Sequence, residues 1–218
     1  MALLLLLLFA LFTAVHLYHS WKDDAKKRRL TKPFLLLLLA GFYAVSARDI
    51  SWFLLFALLT SWLGDVLLIP KGHKWFLIGG VSFLASHFLF IAVYVPDLRL
   101  EAVPWALLAV LAPLYIGVSL AIIRAVRPTT PKLMVLPMYL YLLANSTMNL
   151  FALSRLFAMR TPGSIVAYAG ALLFFLSDCI LFLVRYYRKP EVIFKKHFSV
   201  MLAYLTGELL ITLGMLMQ

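Results

Sequence analysis

Charge is what this 218-residue chain has least of: Asp, Glu, Lys and Arg make up 13% of it, while 64% is hydrophobic. A soluble domain of this size cannot clothe itself with so few charged residues, so a polytopic helical membrane protein is expected. Acidic residues are the scarcest, nine against twenty Lys and Arg, for a formal charge of +11. In a soluble chain that excess would suggest nucleic acid. Here the basic residues fall between apolar runs, where loop charge and contact with anionic lipid account for them, and no nucleic-acid partner is expected. Cysteine is almost absent. The single Cys179 lies inside an apolar run and excludes an intrachain disulfide and a multi-cysteine metal site. Also missing are a Gly-x-Ser-x-Gly elbow, a His-Glu-x-x-His pair and any phosphate-binding loop. The five histidines, His16, His19, His73, His87 and His197, are scattered over loops and separate helices, so neither a metal nor a cofactor is expected.

What the chain has in abundance is apolar runs. Eight are long enough to span a membrane or nearly so, at about 2–20, 33–48, 51–69, 75–95, 104–123, 133–153, 163–185 and 198–217. The expected fold is all-α: one integral membrane domain over 1–218, an eight-helix transmembrane bundle. The run from Ala2 to Tyr18 lacks a basic segment before it and a small-x-small cleavage site after it. It reads as a retained first helix, not a signal peptide. The second run is short and a tight Arg48-Asp49 turn joins it to the third as a hairpin. Pro33, Pro104 and Pro162 fall at or just before helix starts, where a missing N–H costs nothing. Pro113 and Pro137 fall inside helices and predict kinks. Sixteen Lys and Arg fall in the odd-numbered loops against four, Arg48, Arg99, Arg155 and Arg160, in the even ones. That asymmetry predicts cytoplasmic odd loops and both termini on the non-cytoplasmic side.

Two carboxylates inside apolar runs carry the functional signal: Asp65 in Leu63-Gly64-Asp65-Val66-Leu67 and Asp178 in Leu176-Ser177-Asp178-Cys179-Ile180. An ionisable group at membrane depth costs at least a few kcal/mol and is by default a candidate functional site. On this topology the third and seventh helices run the same way. Asp65 lies 14 residues past Ser51 and Asp178 lies 15 past Gly163, so both are expected roughly 21–22 Å along their helices, in the cytoplasmic half of the bilayer. Leu59, Leu63 and Leu68 align with Leu172, Leu176 and Leu181 in the same register, which hints at a parallel four-plus-four duplication.

Two carboxyls at one depth oppose each other's ionisation, so one is expected to keep its proton while the other ionises. A general acid beside an anion suits cleavage at an ether or acetal oxygen through a cationic intermediate. It also suits water activation on a carbonyl, as in an intramembrane aspartyl protease. With Glu208 the same carboxyls would make the proton relay of a proton-coupled transporter. Other polar residues at membrane depth are His87, Asn145, Asn149 and Glu208, with Ser61, Ser86, Ser177, Tyr139, Tyr141 and Tyr204 nearby. Interhelical hydrogen bonding accounts for the Ser, Asn and Tyr residues taken singly. Arg185, seven residues past Asp178, lies on about the same helix face and roughly 10 Å nearer the cytoplasm. Lys32 reaches the same level. Two cations there would suit a lipid phosphate, and would equally make an ordinary basic collar.

In order along the chain stand Thr31-Lys32-Pro33, Leu63-Gly64-Asp65 with Pro70, Phe83 and Ser86-His87, and Tyr141 and Met148. Gly170-Ala171-Leu172-Leu173-Phe174 then leads to Ser177-Asp178 and Arg185, and Tyr204 follows. This series resembles the YhhN-like membrane proteins, the lysoplasmalogenase family. Glu208 departs from the pattern, standing where a glutamine or similar neutral polar residue is expected. The resemblance implies an ether hydrolase. It would cleave the sn-1 vinyl ether of a lysoplasmalogen to a fatty aldehyde and a glycerophospho-choline or -ethanolamine, with Asp65 and Asp178 as the catalytic pair in either order. It implies that Lys32 and Arg185 hold the phosphate, and that His87, Tyr141, Asn145, Ser177, Tyr204 and Glu208 bind substrate or orient water. The partners it implies are the lysophospholipid substrate and membrane lipids, with no obligatory protein partner. The expected location is the inner or cell membrane in a bacterium and an endoplasmic-reticulum-type membrane in a eukaryote.

Overall fold

The computed structural model describes residues 1–217. Among the described residues there are eight α-helices, joined by short loops and 3-10 turns, and no strand. They are α1 (Ala2–Trp21), α2 (Ala25–Ser46), α3 (Trp52–Leu67), α4 (His73–Tyr94), α5 (Trp105–Val126), α6 (Lys132–Met159), α7 (Pro162–Tyr186) and α8 (His197–Leu216). All but α3 are long and apolar enough to cross a membrane. The chain is therefore a helical membrane protein, with seven candidate spans among the described residues where eight were expected.

The exception has a local cause. At 16 residues, α3 is about 24 Å long against a hydrocarbon core of about 30 Å. Leu68 caps it, its N–H turned back to the Gly64 carbonyl while the Ile69 N–H meets the Val66 carbonyl, and Ile69 precedes Pro70, a position that disfavours helix. The expected end at 69 is thus two residues too late. A larger correction concerns α2, which starts at Ala25 and not near 33. Asp24 is its N-cap, accepting from the Lys27 N–H at 3.1 Å, and that hydrogen bond holds the exposed carboxyl below its ordinary value. Thr31-Lys32-Pro33 therefore lies two turns inside the helix, and Pro33 is an interior proline. Pro104 and Pro162 do stand at helix starts, as N-cap of α5 and first residue of α7. Helix α6 runs six residues past its expected end, to Met159.

The chain divides into two compact units, Met1–Val93 with α1–α4 and a second from Tyr94 onward with α5–α8. In the first, α2 packs against both α1 and α3. The α2–α3 turn is fastened by the Ser51 N–H, which donates to the Tyr43 hydroxyl at 2.8 Å. Helix α4 meets α3 where Gly64 leaves room: a Cβ there would lie 2.6 Å from the Phe83 ring. The Ser82 hydroxyl, next along α4, donates to the Thr60 carbonyl at 2.7 Å.

In the second unit α7 and α8 approach backbone to backbone. A Cβ on Gly170 would lie 2.6 Å from the Gly207 carbonyl oxygen and the Ile211 nitrogen, and one on Gly214 would lie 2.5 Å from the Gly163 carbonyl oxygen. Small residues at such crossings are what allow membrane helices to gain close van der Waals contact. Gly170→Ala is expected to destabilise the protein by about 1–3 kcal/mol through overpacking. At Gly117 an added Cβ meets nothing within 4 Å, so Gly117→Ala is expected to be neutral or to stabilise by up to ~1 kcal/mol through helix propensity. Thermal denaturation of the detergent-solubilised protein compares the two.

Candidate active site

In the first unit each residue of Thr31-Lys32-Pro33 is fastened to a neighbouring helix. The Thr31 hydroxyl meets His16 Nδ1 of α1 at 2.7 Å. The Lys32 ammonium meets Asp65 Oδ1 of α3 at 3.0 Å. The Pro33 carbonyl accepts from the Trp62 indole N–H, also of α3, at 2.7 Å. Trp62 and Asp65 are three residues apart and so share the face of α3 turned to α2. The Lys32 and Asp65 side chains are 16% and 3% exposed, so the pair is largely withdrawn from solvent.

Two effects oppose a charge on Asp65, and Lys32 answers both. Burial costs any unpaired ion several kcal/mol. Asp65 also stands three residues before the Leu68 cap, among the last carbonyls of α3, where the helix dipole presents negative charge. An ammonium at 3.0 Å offsets both. The sequence reading gave Lys32 to a lipid phosphate from the start of α2; the structure places it inside α2 with its ammonium on Asp65. Ser61, one turn before Asp65, is fully buried, and its hydroxyl has no hydrogen-bond partner among the described residues. On α4, Ser86 and His87 follow one turn after Phe83 and are fully buried, and the Ser86 hydroxyl donates to the Phe83 carbonyl at 2.7 Å.

In the second unit Asp178 is 4% exposed, and its Oδ2 accepts from Asn145 Nδ2 of α6 at 2.6 Å. Asn145 Oδ1 in turn accepts from Asn149 Nδ2 at 3.0 Å, and the same amide nitrogen donates to the Asn145 main-chain carbonyl at 3.1 Å. Asn149 Oδ1 accepts from the Tyr115 hydroxyl of α5 at 3.3 Å, and Tyr115 meets the Tyr168 hydroxyl of α7 at 3.4 Å. A string of polar groups thus runs through a core otherwise made of side chains such as Leu142, Met148 and Phe174. Ser177 is buried beside Asp178. Tyr141, one turn before Asn145, sets its ring edge-on to Phe182 with centroids 5.6 Å apart. Tyr204 of α8 packs on Phe174 at 5.5 Å, and Glu208, one turn later, is fully buried. Arg185 is exposed in the last turn of α7, its guanidinium 5.9 Å from the Tyr186 ring centroid.

One charged residue was misplaced by sequence reasoning. Arg155, counted there as a loop charge, lies within α6, is 1% exposed, pairs with Asp97 at 2.7 Å and sits over the Tyr94 ring at 5.8 Å. The signal was present in the spacing. Met148, Ala152 and Arg155 continue one helical face at intervals of four and three, and all three are buried.

The two units share a pattern. In each, the aspartate sits on the third helix and a short polar contact reaches it from the second: Lys32 of α2 for Asp65, Asn145 of α6 for Asp178. These two contacts differ in charge, an ammonium in one unit and a neutral amide in the other. Among the described residues no three His, Cys, Asp or Glu side chains converge as a metal site would require. A family model described as the YhhN family matches residues 27–215. Comparison with curated proteins and with solved structures gave no match.

Proposed function

The chain belongs to the YhhN family, and from that premise we propose that it is a membrane hydrolase that cleaves the sn-1 vinyl ether bond of lysoplasmalogens. The products are a fatty aldehyde and glycerophospho-choline or -ethanolamine. The observation that carries the reading is a buried carboxyl, Asp178, held by the Asn145 amide at 2.6 Å at the end of a string of buried polar groups. The general-acid role is assigned to this carboxyl.

Asp178 gives its proton to the alkene carbon remote from the ether oxygen. The C=C electron pair forms the new C–H bond and leaves an oxocarbenium ion on the carbon bonded to oxygen. The aspartate-pair reading assigns the electrostatic stabilisation of that cation to Asp65, the carboxyl paired with Lys32. Water adds at the cationic carbon and returns a proton to Asp178. The hemiacetal then breaks its C–O bond, giving the aldehyde and the free glycerol hydroxyl, so one water is consumed and no cofactor is needed. Arg185, exposed at the end of α7, is the cation assigned to the phosphate, since Lys32 is engaged by Asp65. Purified full-length protein in detergent, incubated with a lysoplasmalogen, is expected to release fatty aldehyde. Absence of aldehyde, with solute-dependent proton uptake in liposomes instead, would establish a transporter and sink the hydrolase reading.

A further inference from the structure

We infer that Ser61 is a positioning residue that holds a single water molecule against Asp65, and that this is the water added in the proposed hydrolysis. The catalytic meaning rests on the hydrolase reading above; the water site itself does not. A serine or threonine inside a helix commonly turns its hydroxyl back to a carbonyl three or four residues earlier. Thr60, Ser86, Thr147, Ser154 and Thr212 all do so. Ser61 does not. It is 0% exposed, and its hydroxyl has no hydrogen-bond partner among the described residues. A buried hydroxyl left in that condition is costly, and native structures rarely keep one without a use for it.

Thr60 supplies part of the reason. Its hydroxyl reaches the Phe56 carbonyl at 2.8 Å and the Ala57 carbonyl at 3.0 Å. The Ala57 oxygen also takes the Ser61 N–H in the helical ladder, so both its lone pairs are engaged and the usual acceptor for Ser61 is occupied. Ser61 belongs to the buried face of α3 with Leu54, Ala57, Leu58, Gly64 and Asp65, and on that face it and Asp65 are the only polar side chains. Their i,i+4 spacing sets the two Cβ atoms about 5–6 Å apart, a gap that one water oxygen can bridge. Helix α4 runs antiparallel alongside, with Gly79 against Leu68 and Phe83 against Gly64. One turn further in that register, the buried His87 falls level with Ser61.

The consequence falls on the second half of the reaction. Both side chains are buried, so bulk solvent is excluded, and a cation formed beside Asp65 is met by one held water in a fixed place. A lone pair of that water forms the new C–O bond, and the proton it sheds restores the carboxyl that gave one up. With no water in place, the oxocarbenium ion has one ready exit: it returns a C–H proton to a carboxylate and re-forms the alkene. Ser61 thus decides capture against reversal.

Two measurements on the full-length purified protein test this. In crystals grown from a lipidic mesophase, a water oxygen is expected about 2.7–3.2 Å from Ser61 Oγ and equally close to an Asp65 oxygen, and is expected to be lost in Ser61→Ala. A wild-type site without that water, or with one out of reach of Asp65, overturns the inference. Turnover of a lysoplasmalogen in D2O supplies the second test. The acid then delivers deuterium to the alkene carbon, and a cation that reverts by losing H leaves deuterium in the unreacted lipid. Recovered lipid is expected to stay unlabelled with wild type and to gain deuterium with Ser61→Ala, whose kcat is expected to fall about 10-fold with KM unchanged. A slower Ser61→Ala that leaves the recovered lipid unlabelled would mean that Ser61 only supports the fold, and overturns the positioning role. The bound water in a protein that yields no aldehyde keeps the water site and overturns the hydrolase reading. Aldehyde release with no water at Ser61 does the reverse.

Discussion

Asp178→Asn is expected to lower the rate of aldehyde release by about 10²–10⁴-fold, the usual worth of a positioned general acid, with little change in stability. The substitution is close to isosteric, and an asparagine at 178 still offers the Asn145 N–H a carbonyl oxygen to donate to, so the 2.6 Å contact can survive. What is lost is the transferable proton. Asp65→Asn is expected to lower turnover as strongly for a different reason: a neutral amide cannot balance a developing oxocarbenium charge. It also leaves the Lys32 ammonium, 16% exposed, without its counter-ion, so this variant loses stability as well. The double variant separates a joint role from two independent ones. Groups that act as a unit are strongly non-additive, so Asp65→Asn/Asp178→Asn is expected to be no slower than the slower single variant. If the two losses multiply instead, the carboxyls do not serve one step. Circular dichroism of each variant shows whether the helices are retained.

The membrane class, the helix count and the two carboxylates were legible in the sequence because each rests on a single strong rule: long apolar runs, and the cost of placing charge within them. The helix limits that went wrong did so where a second rule competed. The basic residues 26–32 read as loop because they carry charge, yet Asp24 caps the helix ahead of them and α2 continues through Pro33. A proline two turns in removes one N–H, a loss that did not end a helix fastened by Thr31, Lys32 and the Pro33 carbonyl to both neighbours. Arg155 was missed for the same reason. Charge at the end of an apolar run was taken as the end of the helix, when its position on the buried face of α6 marked it as an internal partner for Asp97. The partners of the aspartates were out of reach for another reason. Nothing in the local sequence says that Lys32 turns to α3 while Asn145 turns to α7; that depends on how the helices are rotated against each other. Only after packing does the difference appear that matters most for mechanism, an ammonium beside one carboxyl and an amide beside the other.

That difference has an energetic signature. Lys32→Met is expected to destabilise the protein by about 3–5 kcal/mol, the cost of breaking a buried ion pair by removing one member. The loss arises mainly on Asp65. Its side chain is 3% exposed, so water cannot replace the ammonium, and its place in the last turn of α3 sets it against the negative end of the helix dipole. Lys32→Arg keeps the charge and is expected to lose far less, the shortfall reflecting the different shape of the guanidinium. Removing both ions decides whether the pair exists for stability or for function. Replacing a buried ion pair by apolar groups of similar volume is often neutral or stabilising, so Lys32→Met/Asp65→Leu is expected to recover the stability lost by Lys32→Met alone while releasing no aldehyde. Thermal unfolding in detergent, followed by circular dichroism, measures all three. A double variant as unstable as Lys32→Met would mean that the pair holds α2 to α3 as a structural clasp. A stable but inactive one would mean that the protein carries a buried ion pair it could fold without, which is what a catalytic carboxylate with a dedicated counter-ion requires.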